Sequence, residues 1–137
     1  MYPALVQQLQ KMLKNLDGIL DKATTHAKAK NFDVNNFCTA RLTPDMLTFT
    51  KQIQIACDAA KAIGAAVANQ DAPKFEDSET TIDQLRERVR KTHAYLEGLN
   101  PSAFVKSATH KIKLNHPPGK AMLGDDYIMT RSLPNFF

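Results

Sequence analysis

The chain has 137 residues, 43% of them hydrophobic and 23% charged, with a net charge of +4. That length and balance suit one domain with its own core and exclude an intrinsically disordered chain. No apolar run reaches the roughly 18 to 20 residues that a membrane helix needs, and the N-terminus lacks the basic-then-apolar pattern of a secretory signal, so a cytoplasmic protein is expected. The two cysteines, Cys38 and Cys57, form no CxxC and are read as buried free thiols, as in a reducing compartment.

The first predicted element is a long helix near residues 3 to 30. Pro3 fits a first helical turn, and Leu5, Leu9, Met12, Leu16, Ile19, Leu20, Ala23 and Ala27 recur at spacings of three and four. Residues 31 to 38 are irregular. Asp33 is placed to cap a short helical turn, and Phe32 and Phe37 are expected to plug the end of a bundle.

A second helix is predicted over 43–69. Thr43 is its expected N-cap, Pro44 its first residue, and Asp45 puts a negative charge in its first turn. Its seam reads Met46, Phe49, Ile53, Ala56, Ala60, Ile63 and Val67, and Gly64 with the surrounding alanines allows close approach of a neighbour. After a loop at 70–79, a third helix starts at Thr80 or Thr81. Thr81 and Gln84 form a capping-box pattern, and the seam is Ile82, Leu85, Val89, Thr92, Leu96 and Leu99. The segment from Arg86 to Lys91 reads as a solvated face, with Glu87 and Lys91 at i,i+4, and a nucleic-acid role is not expected of it.

Beyond Pro101 the alternation through Thr109–Leu114, the turn residues Asn115–Gly119 and the run Lys120–Leu123 predict a small β-hairpin. Asp125 can cap a short turn, and Ser132-Leu133-Pro134 reads as another helix start. Three amphipathic helices leave one side of a bundle uncovered, so a homodimer burying the faces of Met46, Ile53, Leu85 and Val89 is an expectation.

Catalytic signatures such as a phosphate loop, GxSxG or HExxH are absent. The four histidines are scattered, with His93 beside the seam residue Thr92. Gln54 and Asp58 share a helical face next to the seam, where a carboxylate has to be solvated, paired or coordinating, and Lys61 is an available partner. Arg41 and Asp45 bracket the expected start of helix two and could bond each other or the acidic loop at 75–79. Gln54, Asp58, His93, Arg41 and Asp45 are therefore the candidate pocket residues, either as structural wiring or as ligand contacts.

Four segments carry a resemblance: Ala40-Arg41-Leu42-Thr43-Pro44-Asp45-Met46, the stretch from Gln52 to Lys61, Phe75-Glu76-Asp77-Ser78-Glu79-Thr80-Thr81, and Leu133-Pro134-Asn135-Phe136-Phe137. Together they resemble an uncharacterised family, a domain of unknown function placed with the DinB-like (YfiT-like) four-helix bundles. The resemblance implies an all-α antiparallel four-helix bundle over residues 1–137, with a small hairpin before the last helix and a fourth helix that is largely truncated here. Better-known DinB-like proteins bind a divalent metal with a His of helix two and an HxxxH pair on helix four. No histidine stands on helix two here, so that metal set does not transfer, and a divalent metal as cofactor is only a possibility that the resemblance raises. Two functions follow as expectations: a dimerising or small-ligand-binding module, or a divalent-metal-dependent enzyme with a pocket near helix two.

Overall fold

The computed structural model describes residues 2–102, 111–113 and 121–137. Helix α1 runs Tyr2–Lys30, α2 runs Phe49–Ala68 and α3 runs Ile82–Glu97. A 3-10 helix, Val34–Thr39, links α1 to the approach of α2. Strands β1 (Lys111–Lys113) and β2 (Ala121–Leu123) pair antiparallel with Ile112 opposite Met122, as the alternation predicted. The predicted turn residues Asn115–Gly119, and both His110 and His116, lie outside the described residues. A fourth helix, α4, spans 124–136 as α-helical Gly124–Tyr127, a π-turn Ile128–Ser132 and α-helical Leu133–Phe136. The sequence reading divides this region into two starts, whereas the structure joins them. Tyr127, Ser132 and Leu133 all keep right-handed helical backbone, so the axis continues through the π-turn. Pro134 supplies the reason for the wide turn. It cannot donate to the carbonyl four residues back and its ring crowds that carbonyl, and Leu133 donates instead to Ile128, five residues back.

Local chemistry explains most boundaries. Helices α1 and α2 both end on an asparagine in the left-handed region, Asn31 at φ 58° and Asn69 at φ 53°. In each case the next residue donates to a carbonyl five back, Phe32 to Ala27 and Gln70 to Ala65, both at 3.0 Å. Asp33 caps the 3-10 helix by accepting from the Asn35 amide at 3.0 Å. Thr81 and Gln84 form the predicted capping box of α3.

Helix α2 departs from its prediction. It starts at Phe49, with Thr48 as its N-cap, and not at Thr43. Residues 43–46 close a tight turn in which the Met46 amide donates to the Thr43 carbonyl at 3.1 Å and the Thr43 hydroxyl to Asp45 at 2.5 Å. Arg41 then occupies the Met46 carbonyl at 2.7 Å, and the Phe49 amide donates back to Ala40 at 2.8 Å. Those bonds commit the backbone to a closed loop, which leaves Met46 and Leu47 at the surface and Leu42 88% exposed.

The three long helices bury one apolar centre. It holds Leu9, Leu13 and Leu20 of α1, Ile53, Cys57, Ala60, Ile63 and Val67 of α2, and Ile82, Leu85, Val89 and Leu96 of α3, with Ile128 of α4 packed against it. On α1 the buried line keeps Leu9, Leu20 and Ala27 of the predicted stripe and adds Val6 and Leu13, while Leu5 and Leu16 pack at its edge and Ile19 is 56% exposed. The face expected to meet a second copy belongs to this interior: Ile53, Leu85 and Val89 are buried within the chain, and Met46 sits in the surface turn, so no dimer can form through that set.

Helix α2 comes close to α3 and to the residues just after it at Gly64. A Cβ there would stand 2.5 Å from Leu96 Cδ2 and 3.0 Å from Leu99 Cδ1, and both leucines are buried. Alanine would gain about 1 kcal/mol of helix propensity, but overpacking costs about 1–3 kcal/mol. Gly64→Ala is therefore expected to lower stability by about 1 kcal/mol. Urea unfolding checks this, and a raised midpoint would show that the two leucines can move aside.

Candidate functional site

The site forms where α2, α3 and the 70–79 loop meet. Arg88 lies on the inward face of α3, three residues after Leu85 and four before Thr92, and is only 2% exposed. Its guanidinium is shared by three carboxylates. Nη2 meets Asp58 at 2.8 Å and Asp77 at 3.1 Å, and Nη1 meets Glu79 at 3.0 Å and the Glu76 carbonyl at 3.1 Å. On α2, Gln54 donates its amide to the other Glu79 oxygen at 2.8 Å. Lys61, also buried, holds Asp58 at 2.9 Å and the Pro73 carbonyl at 3.1 Å, and its ammonium stands 4.0 Å from the centre of the Phe75 ring. Pro73, Phe75, Glu76, Asp77 and Glu79 of the loop are thus all tied to two buried cations.

A buried charge is tolerated only when paired and hydrogen-bonded, and the planar fork of arginine suits several oxygens at once. Burial raises the Glu79 carboxyl, but the bonds from Gln54 and Arg88 outweigh it and hold it below the ordinary glutamate value of 4.5. Burial likewise works against the Arg88 charge and is overcome by Glu79 and Asp58, so the guanidinium stays protonated. Arg88 Nε and Gln54 Oε1 are buried without a partner among the described residues, so this polar core is not fully satisfied. Burial pushes the Cys57 thiol up, against a weaker hydrogen bond from Thr92, which disfavours a thiolate there.

The candidate residues separate. Gln54 and Asp58 join one network, and Lys61 is the expected partner of Asp58. His93 does not join them. It lines a separate hollow of about 250 Å³ with Leu13, Lys14, Asp17, Val89 and Arg90, on the α1 side of α3. Arg41 and Asp45 stay in the surface turn, each bonded within it and neither to the other nor to the acidic loop. That loop turns to Arg88, which the sequence reading leaves on a solvated face. Its 3-and-4 spacing to Leu85 and Thr92 was the available signal. Glu87 and Lys91 do pair on the exposed side at 3.3 Å, as predicted. On the opposite side Arg86 ties α3 to α1 through Asp17 at 2.9 Å and Asp21 at 3.0 Å.

Asp58 also reaches a second feature, a groove of about 680 Å³ between α2 and α4. Ile55, Asp58, Ala59 and Ala62 form its α2 wall, at spacings of three and four. Tyr127, Thr130, Arg131, Ser132, Pro134 and Asn135 form its α4 wall. Both cations that hold Asp58 bond Oδ1, and its side chain remains 49% exposed.

A divalent metal fits these residues poorly. Among the described residues no group of three His, Cys, Asp or Glu side chains is placed to hold a metal ion, since Asp58, Asp77 and Glu79 converge on Arg88 instead, and the described α4 carries no histidine. Gln54 is committed to Glu79, and a cation at Asp58 would adjoin a guanidinium and an ammonium.

Arg88→Met leaves three carboxylates around a vanished charge and is expected to cost about 3–5 kcal/mol in urea unfolding, with Arg88→Lys in between. A loss under about 1 kcal/mol would show that the network does not hold the loop. Because the folded Glu79 value lies below 4.5, its contribution is complete above that pH and is lost as pH falls through the folded value. Asp17 behaves alike below its ordinary 3.8, since the bonds and charges of Arg86 and Arg90 outweigh burial, which raises it. Stability should therefore fall with acidification below about pH 4.5, and Glu79→Gln should flatten that slope. Urea midpoints measured from pH 7 to pH 3 test this, and an unchanged slope in the variant would contradict it.

A crystal structure of a DinB family member protein from Shewanella denitrificans is similar, with a TM-score of 0.89 and 39% identity over 96% of this chain and 75% of that chain. No curated protein matches. The family model described as a domain of unknown function, DUF1993, matches residues 1–137. With its four-helix core and hairpin, the chain belongs to this DinB-like family of uncharacterised domains.

Proposed function

We propose that this DinB-like chain is a small-molecule-binding helical module whose ligand lies in the groove between α2 and α4. The groove itself carries the reading. Its volume of about 680 Å³ falls in the range of about 300–1,000 Å³ usual for organic ligands. Its walls combine apolar Ile55, Ala59, Ala62 and Pro134 with polar Asp58, Thr130 and Asn135, the mixture that positions a ligand while burying its carbon skeleton. A divalent-metal-dependent enzyme is the alternative, and the donor set at Asp58 speaks against it. The buried free thiols of Cys38 and Cys57 support residence in a reducing compartment such as the cytoplasm. Among the described residues, no helix is long and apolar enough to cross a membrane.

A homodimer is a second reading, favoured by the exposed Leu42 and Leu47 of the 40–48 turn. Sedimentation of the wild type and of Leu42→Ser separates the two.

Amide NMR spectra recorded with a library of small fragments, and separately with zinc, test the main reading. Shifts confined to Ile55, Ala59, Ala62 and Asn135 with fragments are the expected result. Fragments that move only residues elsewhere would sink it, and stoichiometric zinc at Asp58 would favour the enzyme.

A further inference from the structure

We propose that the outer face of α1 binds the phosphate backbone of duplex DNA without reading its sequence. This surface is separate from the groove, and neither depends on the other.

Helix α1 carries five basic residues, Lys11, Lys14, Lys22, Lys28 and Lys30, all of them exposed. Its two acidic residues, Asp17 and Asp21, turn to α3. Asp17 meets Arg86 at 2.9 Å and Arg90 at 3.3 Å, and Asp21 meets Arg86 at 3.0 Å. Charges of the two signs therefore match along the α1–α3 contact, and the five lysines are left over. The lysines that hold carboxylates among the described residues are Lys51, Lys61 and Lys91, none of them on α1. The chain has 18 basic and 14 acidic residues, and with these five set aside 13 basic residues face the same 14 acidic ones. The net charge of +4 thus rests on the α1 lysines.

Their spacing makes one surface. At about 100° and 1.5 Å per residue, Lys11, Lys14 and Lys22 fall within about 80° around the axis and about 16 Å along it. Lys28 and Lys30 extend the row through the last turn, where they also offset the carbonyl end of the helix. Exposed Gln7, Gln8 and Asn15 stand on the same face as neutral donors. B-form DNA carries one negative charge per about 1.7 Å of axis, so about nine phosphates lie alongside the central three lysines.

The composition of the face separates duplex DNA from other polyanions and from protein. Protein interfaces are enriched in aromatic side chains and depleted in lysine, and a single strand is held by stacking its bases on aromatic rings. A membrane surface takes up the apolar face of a helix. Among the exposed residues of α1 there is no Phe, Tyr or Trp, its apolar stripe is buried in the core, and Ile19 is its one large exposed apolar side chain. Ammonium groups on flexible stems are point charges that suit a row of phosphates. The B-form major groove also admits a helix, whereas that of A-form RNA is too deep and narrow.

The test is fluorescence anisotropy of a labelled mixed-sequence DNA duplex of about 20 base pairs, titrated with the whole chain at pH 7 and at salt from about 50 to 200 mM. Five phosphate contacts give a slope of log K against log salt of about −4.5, a loss of about five-hundredfold over that range. Lys11→Gln/Lys14→Gln/Lys22→Gln is expected to bring the slope to about −1.8 and the loss to about twelvefold. All three side chains are exposed, so its helical circular dichroism should match the wild type. Lys51→Gln/Lys74→Gln/Lys91→Gln removes the same charge on the side of the 70–79 loop and is expected to keep the wild-type slope. Equal slopes in the two variants would show that net charge alone is sensed and would overturn the α1 face as the site. Absence of duplex binding at the lowest salt, tighter binding of a single strand or an RNA duplex, or binding to phosphatidylserine vesicles in place of DNA overturns duplex DNA as the partner.

Discussion

One buried guanidinium organises this molecule. Arg88 sits in the interior face of α3 and binds Asp58 from α2 together with Asp77, Glu79 and the Glu76 carbonyl from the connecting loop. Removing an arginine from water is costly, and the cost is offset only if its donors find oxygens in place. The loop therefore has little freedom of conformation: its acidic residues have to lie where the fork points. Lys61 repeats the principle one turn further along α2, with Pro73 and Phe75 as its partners. The apolar seams bring α2 and α3 together, but these two cations decide how the loop crosses their ends and which way Asp58 faces.

The same arrangement links stability to the groove. Asp58 is half exposed because one of its oxygens belongs to the interior and the other does not. Here the Asp58 side chain lies on the boundary between a polar core and a wall of small apolar residues. The opposite wall comes from α4, whose π-turn at Ile128–Ser132 widens the helix where Thr130 and Arg131 line the groove. π-turns of this kind are frequent at functional sites, and here Pro134 supplies the local cause.

The DinB-like fold does not require the metal set that the resemblance implies. The fold needs helices with seams at the right spacing, and those seams are present. A metal site needs several donors converging on one point, and a helix can keep its packing after each donor is replaced. Where the resemblance implies a helix-two histidine and an HxxxH pair, this chain offers Gln54 bonded to Glu79, Asp58 between two cations, and an α4 without histidine.

Much of the fold is legible in the residues because its causes are local. The seam of α3, the capping box at Thr81, the stop at Asn69, the cap at Asp33 and the hairpin pairing each depend on a few neighbours, so spacing and residue type suffice. The start of α2 was misleading because Thr43-Pro44-Asp45 suits a helix start and a tight turn equally. A hydrogen bond from Arg41 to Met46 favours the turn. The single helix of 124–136 was hidden because a π-turn lets the chain pass a proline that otherwise signals a break. The site was half legible. Gln54, Asp58 and Lys61 share one helix, and their neighbourhood follows from the helical repeat. Arg88 as the partner of Asp58, the loop carboxylates that share it, the removal of His93 to the α1 side and the groove against α4 all depend on which faces meet between segments far apart in the chain. The amino-acid sequence determined the helices and their apolar faces. Only the tertiary structure decided which charges were buried together, because desolvation acts on the assembled interior and not on any one segment.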